Sequence, residues 1–321
     1  MLNATRIPFT LLALILVWPT LAAPPLKLAN TNSLLTSLIS LADDQDLYDQ
    51  FGLRLELTPE ETETAALRSL LAGQTDLAVV AGAPFVKHAL KHPNLRLIAC
   101  IGQTDNTIKI ATHREREIRV PGQLRGKRIG TQPGGTAQLF LQRLLQQQGL
   151  TERDITPVFM PEKRLPSALA KGLVDAITIR ESQLSLARAQ LPLDLHLIDA
   201  PGVYLESVNL VTTAEFLDSA QAESLIPLLQ ALHEAERRLS SQPTEMTALL
   251  SKQLAQNPDR VEHRPNEARL SMDGRLLTSL QTIAQWLTPG RDGLRDSLEL
   301  LPYLHTPLLA KVKPQGVNLS P

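Results

Sequence analysis

Cysteine, aromatic residues and an excess of either charge are all scarce in this chain of 321 residues. A single cysteine, Cys100, excludes an internal disulfide framework and a cysteine-built zinc site. Placed between Ala99 and Ile101, it reads as a small core residue. Aromatics make up 3% of the chain, too few for rows of stacking platforms under bases or sugars. The 32 basic and 33 acidic residues nearly cancel, so the overall balance offers nothing to nucleic acid, which is not an expected partner. The seven histidines (88, 92, 113, 196, 233, 263 and 305) make no His-Glu-x-x-His spacing, and there is no Gly-x-Ser-x-Gly elbow. His88 and His92 stand four apart on an expected helix, with no acidic residue near them to complete a metal site. No catalytic residue, cofactor or metal is therefore expected. Beyond the N-terminal stretch no segment is apolar enough to cross a membrane.

Residues 1–22 read as an export signal. Arg6 supplies the positive charge, FTLLALILVW (9–18) the short apolar run, and Pro19 the break. Thr20 and Ala22 are small residues at the −3 and −1 positions of a cut before Ala23. The run is shorter than the roughly 20 residues needed to span a bilayer. The expected location is the periplasm.

What the chain has in quantity is alternation of strand and helix, and it has it twice. Hydrophobic residues are 43% of the sequence, an ordinary globular share, and the length is enough for two α/β units. In Gly126–Glu181 a strand, GKRIGTQ (126–132), breaks at Pro133-Gly134-Gly135 and leads into a helical run (136–150). A strand (155–160), a short helix (165–172) and a buried-looking strand (174–179) follow. About 100 residues upstream the same order appears: strand 27–32, helix, strand 52–57, helix 65–74 and strand 76–82. Lys27 matches Arg128, Leu53 matches Thr156, and Asp76 matches Asp175. The two aspartates follow helix ends and read as turn or cap residues. NTIKIATH (106–113) and ESVNLVTT (206–213) form a further matched pair, alternating as half-buried strands do. They read as connecting strands, one leaving the first lobe and one returning to it. Segments 222–256 and 273–287 read as helices, and the tail with Pro302, Pro307 and Pro314 as mostly irregular chain. The predicted division is 23–108 with 209–321 for lobe one and 109–208 for lobe two.

A cleft between two like lobes is where a small ligand sits. Gly134, Gly135 and Thr136 are the leading contact. The glycines let backbone come close, Thr136 caps the helix behind them, and a helix N-terminus suits a negative group. Asn30, Thr31, Asn32 and Ser33 hold the matching place in lobe one, where they equally suit plain helix capping. Gly82 and Ala83 stand at the C-terminal end of the apolar strand Leu77–Ala81, where crevices form in open α/β sheets. Arg180 and Glu181 end the second lobe's strand. Arg180 pairs there with an anionic ligand, forms a surface ion pair or bridges to the other lobe, and Glu181 holds an amine or orients Arg180. Lys163 and Arg164 are a second cationic option.

LRGKRIGTQPGGTAQLFLQRLLQQQGLTERDI (124–155) resembles the segment that opens the second lobe in periplasmic solute-binding proteins of the nitrate, sulfonate and taurine type. ALAKGLVDAITIRE (168–181) and ALRSLLAGQTDLAVV (66–80) are similar to that family's Ala-Leu-x-x-Gly-x-x-Asp-Ala element. FGLRLEL (51–57) and KVKPQGVNL (311–319) fit as well. The resemblance, which extends to relatives that handle a thiamine-pyrimidine precursor, implies a type II binding-protein fold. In that fold two mostly parallel sheets, each flanked by helices, are joined by two crossover strands. It implies a monomer without a cofactor that closes on a small polar, anionic organic solute and docks on an ABC permease. The same fold also serves membrane sensors, and enzymes. Two places depart from the family: TNSLLTSLISLA (31–42), and Arg180-Glu181-Ser182-Gln183 where a Glu-Pro-Tyr-like run is usual.

Overall fold

A computed structural model describes residues 24–180, 183–191, 194–253, 267–288 and 300–320. The predicted export signal and Glu181 lie outside the described residues. Ten strands form two five-stranded sheets. The first is built from β1 (Leu26–Asn30), β2 (Leu55–Pro59), β3 (Leu77–Ala81), β4 (Leu95–Thr104) and β10 (Glu206–Thr213), in the order β2-β1-β3-β10-β4. The second holds β5 (Ile108–His113), β6 (Arg128–Thr131), β7 (Thr156–Phe159), β8 (Ala176–Arg180) and β9 (Leu195–Ile198), in the order β7-β6-β8-β5-β9. β1 runs parallel to β2 and β3, as β6 does to β7 and β8. One strand in each sheet runs against its neighbours: β10 between β3 and β4, and β5 between β8 and β9.

The duplication is visible at the level of single hydrogen bonds. In the first sheet the Lys27 amide donates to Asp76 Oδ2 at 2.8 Å, and Thr212 Oγ1 donates to the Asp76 carbonyl at 2.8 Å. In the second the Arg128 amide donates to Asp175 Oδ2 at 2.9 Å, and Thr112 Oγ1 to the Asp175 carbonyl at 2.8 Å. The aspartates thus tie the start of one strand to the start of the next, the structural role expected of them. The pairing of Leu53 with Thr156 is corrected by register: Lys27 faces Glu56 as Arg128 faces Thr156. Leu53 precedes the strand and is buried beneath it.

The chain passes between sheets twice, at 105–107 and at 199–205, and side chains knit the two passages together. Asp105 Oδ2 accepts from the Gly202 amide at 3.1 Å, and Lys109 pairs with Asp199. β5 and β10 begin just beyond these passages, and each is a full member of its own sheet. β3 is buried along Leu77–Val80 and β8 along Ala176–Ile179, which explains their unbroken apolar sequences. The helices Leu225–Ser241 and Pro243–Gln253 pack on Ser37–Asp44 and separate at Pro243, a residue suited to starting a helix and not to continuing one. Gly274–Leu287 packs on the helix Gly82–Ala89.

Two sequence expectations need correction. β4, ten residues long and almost wholly buried, contains Cys100 and is a strand that the alternation pattern did not reveal. The tail is more regular than its prolines suggest. Pro307 sits in the first turn of a helix, Thr306–Val312, and Val317–Asn318 (β12) pairs with Met272–Asp273 (β11).

Candidate functional site

The C-terminal ends of β3, β6 and β8 open on one cleft, which encloses about 630 Å³. Chain from both sheets lines it. From the first come Thr62, Glu63 and Thr64, at the start of the helix that follows β2, Ala81 at the end of β3, and Ala83, Pro84, Lys87 and His88 along the helix that follows it. From the second come Gln132, Gly134, Gly135, Thr136, Glu162 and Arg180. Tyr204 enters from the second passage, Glu206 from the first residue of β10, and Trp286 and Leu287 from the helix Gly274–Leu287.

Five of the predicted residues therefore meet: Ala83, Gly134, Gly135, Thr136 and Arg180. Gly134 adopts φ +69°, a conformation glycine reaches without strain. A Cβ added at Gly134 or Gly135 would meet no atom within 4 Å. The amides of Gln138 and Leu139 turn back to the Gly135 carbonyl at 3.0 and 3.2 Å. The amides just ahead of them precede the helical ladder and point outward. Gln138 Oε1 takes the Gly134 amide at 2.8 Å. Thr136 is not the cap it was expected to be. The helix starts at Thr136 with Gly135 in the capping position, and the Thr136 hydroxyl accepts from Arg180 Nη2.

Arg180 is held from three sides. Besides Thr136, its Nε lies 3.7 Å from Glu162 Oε1, and its Nη1 lies 3.5 Å from Glu206 Oε1. Glu206 belongs to the first sheet and Arg180 to the second, so Arg180 bridges the two sheets.

The remaining predicted residues that the structure describes do not line the cleft. Thr31 is buried and reaches it indirectly, donating to Glu63 Oε1 at 3.4 Å. Ser33 closes a local turn, its amide donating to Thr36 Oγ1 at 3.0 Å, and Asn32 is exposed. Asn30 carries a buried Oδ1 without a hydrogen-bond partner. Gly82 is a packing glycine: a Cβ there would lie 2.8 Å from Ser207 Oγ and 3.2 Å from Leu280. Lys163 and Arg164 are exposed in a short turn, Glu162–Arg164. His88 and His92 stack with ring centroids 5.9 Å apart. Burial, then the charges of His92, Lys87 and Lys91, lowers the His88 pKa from 6.5 and keeps it neutral near pH 7. Among the described residues no group of three or more His, Cys, Asp and Glu could hold a metal ion, and no helix is long and apolar enough to cross a membrane.

Sequence reasoning missed Glu63, Glu162, Tyr204, Glu206 and Trp286. For Glu63 a signal existed, since it opens the helix after β2 just as Gly82 opens the one after β3. The others stand where no local motif marks them.

Two α/β sheets crossed twice by the chain, with a cleft at their strand ends, are the frame of periplasmic binding proteins. The family described as NMT1/THI5 like matches residues 36–246, more than half of the chain. The chain belongs to the NMT1/THI5-like family. Solved structures carry the same fold. The periplasmic aliphatic sulphonate binding protein SsuA from Escherichia coli superposes with a TM-score of 0.67 at 19% identity, over 85% of this chain and 91% of that one. A periplasmic sulfonate-binding protein SsuA from Methylobacillus flagellatus KT gives 0.71 at 15%, over 91% and 94%. The periplasmic nitrate-binding protein NrtA from Synechocystis PCC 6803 gives 0.62 at 13%, over 91% and 88%. No curated protein matches the sequence. This member of the NMT1/THI5-like family thus has the architecture of proteins that bind small solutes.

Proposed function

We propose that this chain is the substrate-binding component of an ABC-type importer for a small polar organic solute with an anionic group. It works in the periplasm after loss of residues 1–22, and hands its solute to a permease as a monomer. The observation that carries this reading is the cleft, because both sheets line it and, among the described residues, the chain passes between them at 105–107 and 199–205. On this reading the two passages separate lobe one, 23–108 with 209–321, from lobe two, 109–208. A solute touching both walls at once favours the form in which they stand close, and that preference drives hinge closure. The outward amides at Gly135 and Thr136 suit the anionic group.

A thermal-shift screen of the purified protein against sulfonates, carboxylates, nitrate and amino-sulfonates tests this. A solute at 100 times its Kd stabilises the folded protein by about 2.7 kcal/mol. Gly135→Leu is the decisive variant, because a side chain at Gly135 meets nothing within 4 Å and projects into the cleft. The expected result is an unchanged melting temperature without solute and loss of the solute-induced shift. An undiminished shift in Gly135→Leu would place the solute elsewhere.

A further inference from the structure

A second cavity, of about 290 Å³, opens between two helices that also border the cleft. The helix Thr136–Gln147 packs on the second sheet; it gives Thr136 to the cleft and Arg143 to this cavity. The helix Gly274–Leu287 gives Trp286 and Leu287 to the cleft, and Arg275, Thr278 and Ser279 to the cavity. At the helical rise, Arg143 stands about 10 Å along its helix from Thr136, and Arg275 about 16 Å along its own from Trp286. The two spaces are therefore separate, with Tyr204 shared by both linings.

Their charges differ in sign. In the cleft Glu63, Glu162 and Glu206 outnumber Lys87 and Arg180. In the second cavity Arg143 and Arg275 face one carboxylate among the described residues, Asp105, whose Oδ2 already accepts the Gly202 amide at 3.1 Å. Arg143 is half-buried and Arg275 exposed, and neither makes a hydrogen bond or an ion pair among the described residues. The Thr278 hydroxyl likewise has no partner there, whereas Ser279 Oγ donates to the Leu205 carbonyl at 2.6 Å and ties its helix to the second passage. Each guanidinium offers five N–H donors in a planar fork that matches the oxygens of a carboxylate or phosphate. Two such forks without an acceptor, on walls that belong to different sheets, make a receptor for an anion.

We propose that this cavity is a second binding site, for a small multivalent oxyanion held between Arg143 and Arg275. Phosphate and short dicarboxylates have the required form, since they present oxygens on two sides at once, and a halide does not. Arg143 rides on a helix of the second sheet and Arg275 on a helix packed against the first, so the anion cross-links the two. Its binding is thereby coupled to that of any solute held in the cleft between the same helices. The site itself does not depend on the solute-binding reading.

Calorimetry and melting curves of the full chain at neutral pH test it, with inorganic phosphate and malonate compared against sodium chloride at equal ionic strength. Gly135→Leu is titrated alongside wild type, because its side chain obstructs the cleft and leaves the second cavity untouched. At least one of the two oxyanions is expected to bind and to raise the melting temperature beyond chloride in both proteins. Arg143→Gln and Arg275→Gln should melt as wild type does without anion, and each should weaken the binding by about tenfold or more. No binding beyond chloride overturns the site, as does binding that either Gln variant leaves intact. Binding lost in Gly135→Leu also overturns it and puts the anion in the cleft. None of these outcomes counts against the solute-binding reading, which its own screen decides.

Discussion

Asp175→Ala and Asp76→Ala make the same cut at equivalent places in the two sheets, and burial predicts unequal costs. Asp175 is 8% exposed, accepts the Arg128 amide at 2.9 Å and the Arg128 guanidinium at 2.9 and 3.2 Å, and forms an ion pair with Arg116 Nη1 at 3.4 Å. Removing the carboxylate strands a part-buried amide and two cations. A charge-assisted bond of this kind is worth about 1.5–3 kcal/mol, while guanidinium groups in contact with water add little. The expected loss is therefore about 2–3 kcal/mol. Asp76 accepts only the amide of exposed Lys27, at 2.8 Å, which water can satisfy, so its loss should be about 1 kcal/mol or less. In urea, with a slope of about 3 kcal/mol per molar, Asp175→Ala moves the midpoint down by about 0.7–1 M. Asp76→Ala moves it by about 0.3 M or less. The pH dependence supplies a second readout. Hydrogen bonding from the Arg128 side chain, then its backbone bond and the arginine charges, outweighs burial and holds the Asp175 carboxyl below its ordinary 3.8. A depressed carboxyl contributes its stability above the unfolded value and loses it as pH falls through the folded one. The gap between wild type and Asp175→Ala should thus be full at pH 7 and close in acid, below about pH 4. Equal costs at the two aspartates, or a gap unchanged at about pH 3, would refute the reasoning.

Cys100 is fully buried, its Sγ lies 3.2 Å from the Gly102 carbonyl, and burial pushes its thiol up to about 12. A thiol reagent at pH 8 should leave it unmodified in the native protein and titrate one thiol in denaturant; rapid native labelling would contradict the packing of β4. Gly102→Ala should cost about 3 kcal/mol or more, read as a fall in melting temperature. Its Cβ would lie 2.3 Å from the Leu35 carbonyl oxygen, which is backbone and cannot swing aside. A variant as stable as wild type would show that β4 and the turn at Leu34–Thr36 are not in such close contact.

The fold was largely legible because duplication doubled every weak signal. Leu77–Ala81 and Glu206–Thr213 have the bounds read from sequence, since one is unbroken apolar chain and the other alternates cleanly. The repeat of Asp76 in Asp175 marked equivalent corners before any pairing was known. β4 escaped because it has no counterpart at the matching offset. LRLIACIGQT is buried on both faces, so neither alternation nor repetition announces it. The tail escaped for a different reason. Pro307 breaks a helix only from inside one, and in the first turn its missing amide removes no helical bond.

The cleft was legible only where the backbone makes it. Gly134 and Gly135 advertise an open backbone by lacking side chains, and Ala83 follows from the rule about strand ends; none of this needs tertiary contacts. Charge is another matter. Arg180 read in isolation is a free cation at a strand end, which is why an anionic partner was natural for it. Its partners are Glu162, on a turn 18 residues earlier, and Glu206, which belongs to the other sheet and reaches it only because the chain recrosses at 199–205. No local pattern encodes that meeting, yet it reverses the electrostatic character of the wall. At Arg180 itself the charge balance is therefore set by a contact between the two sheets. Any opening that lengthens the 3.5 Å Arg180–Glu206 separation would free Glu206 to water.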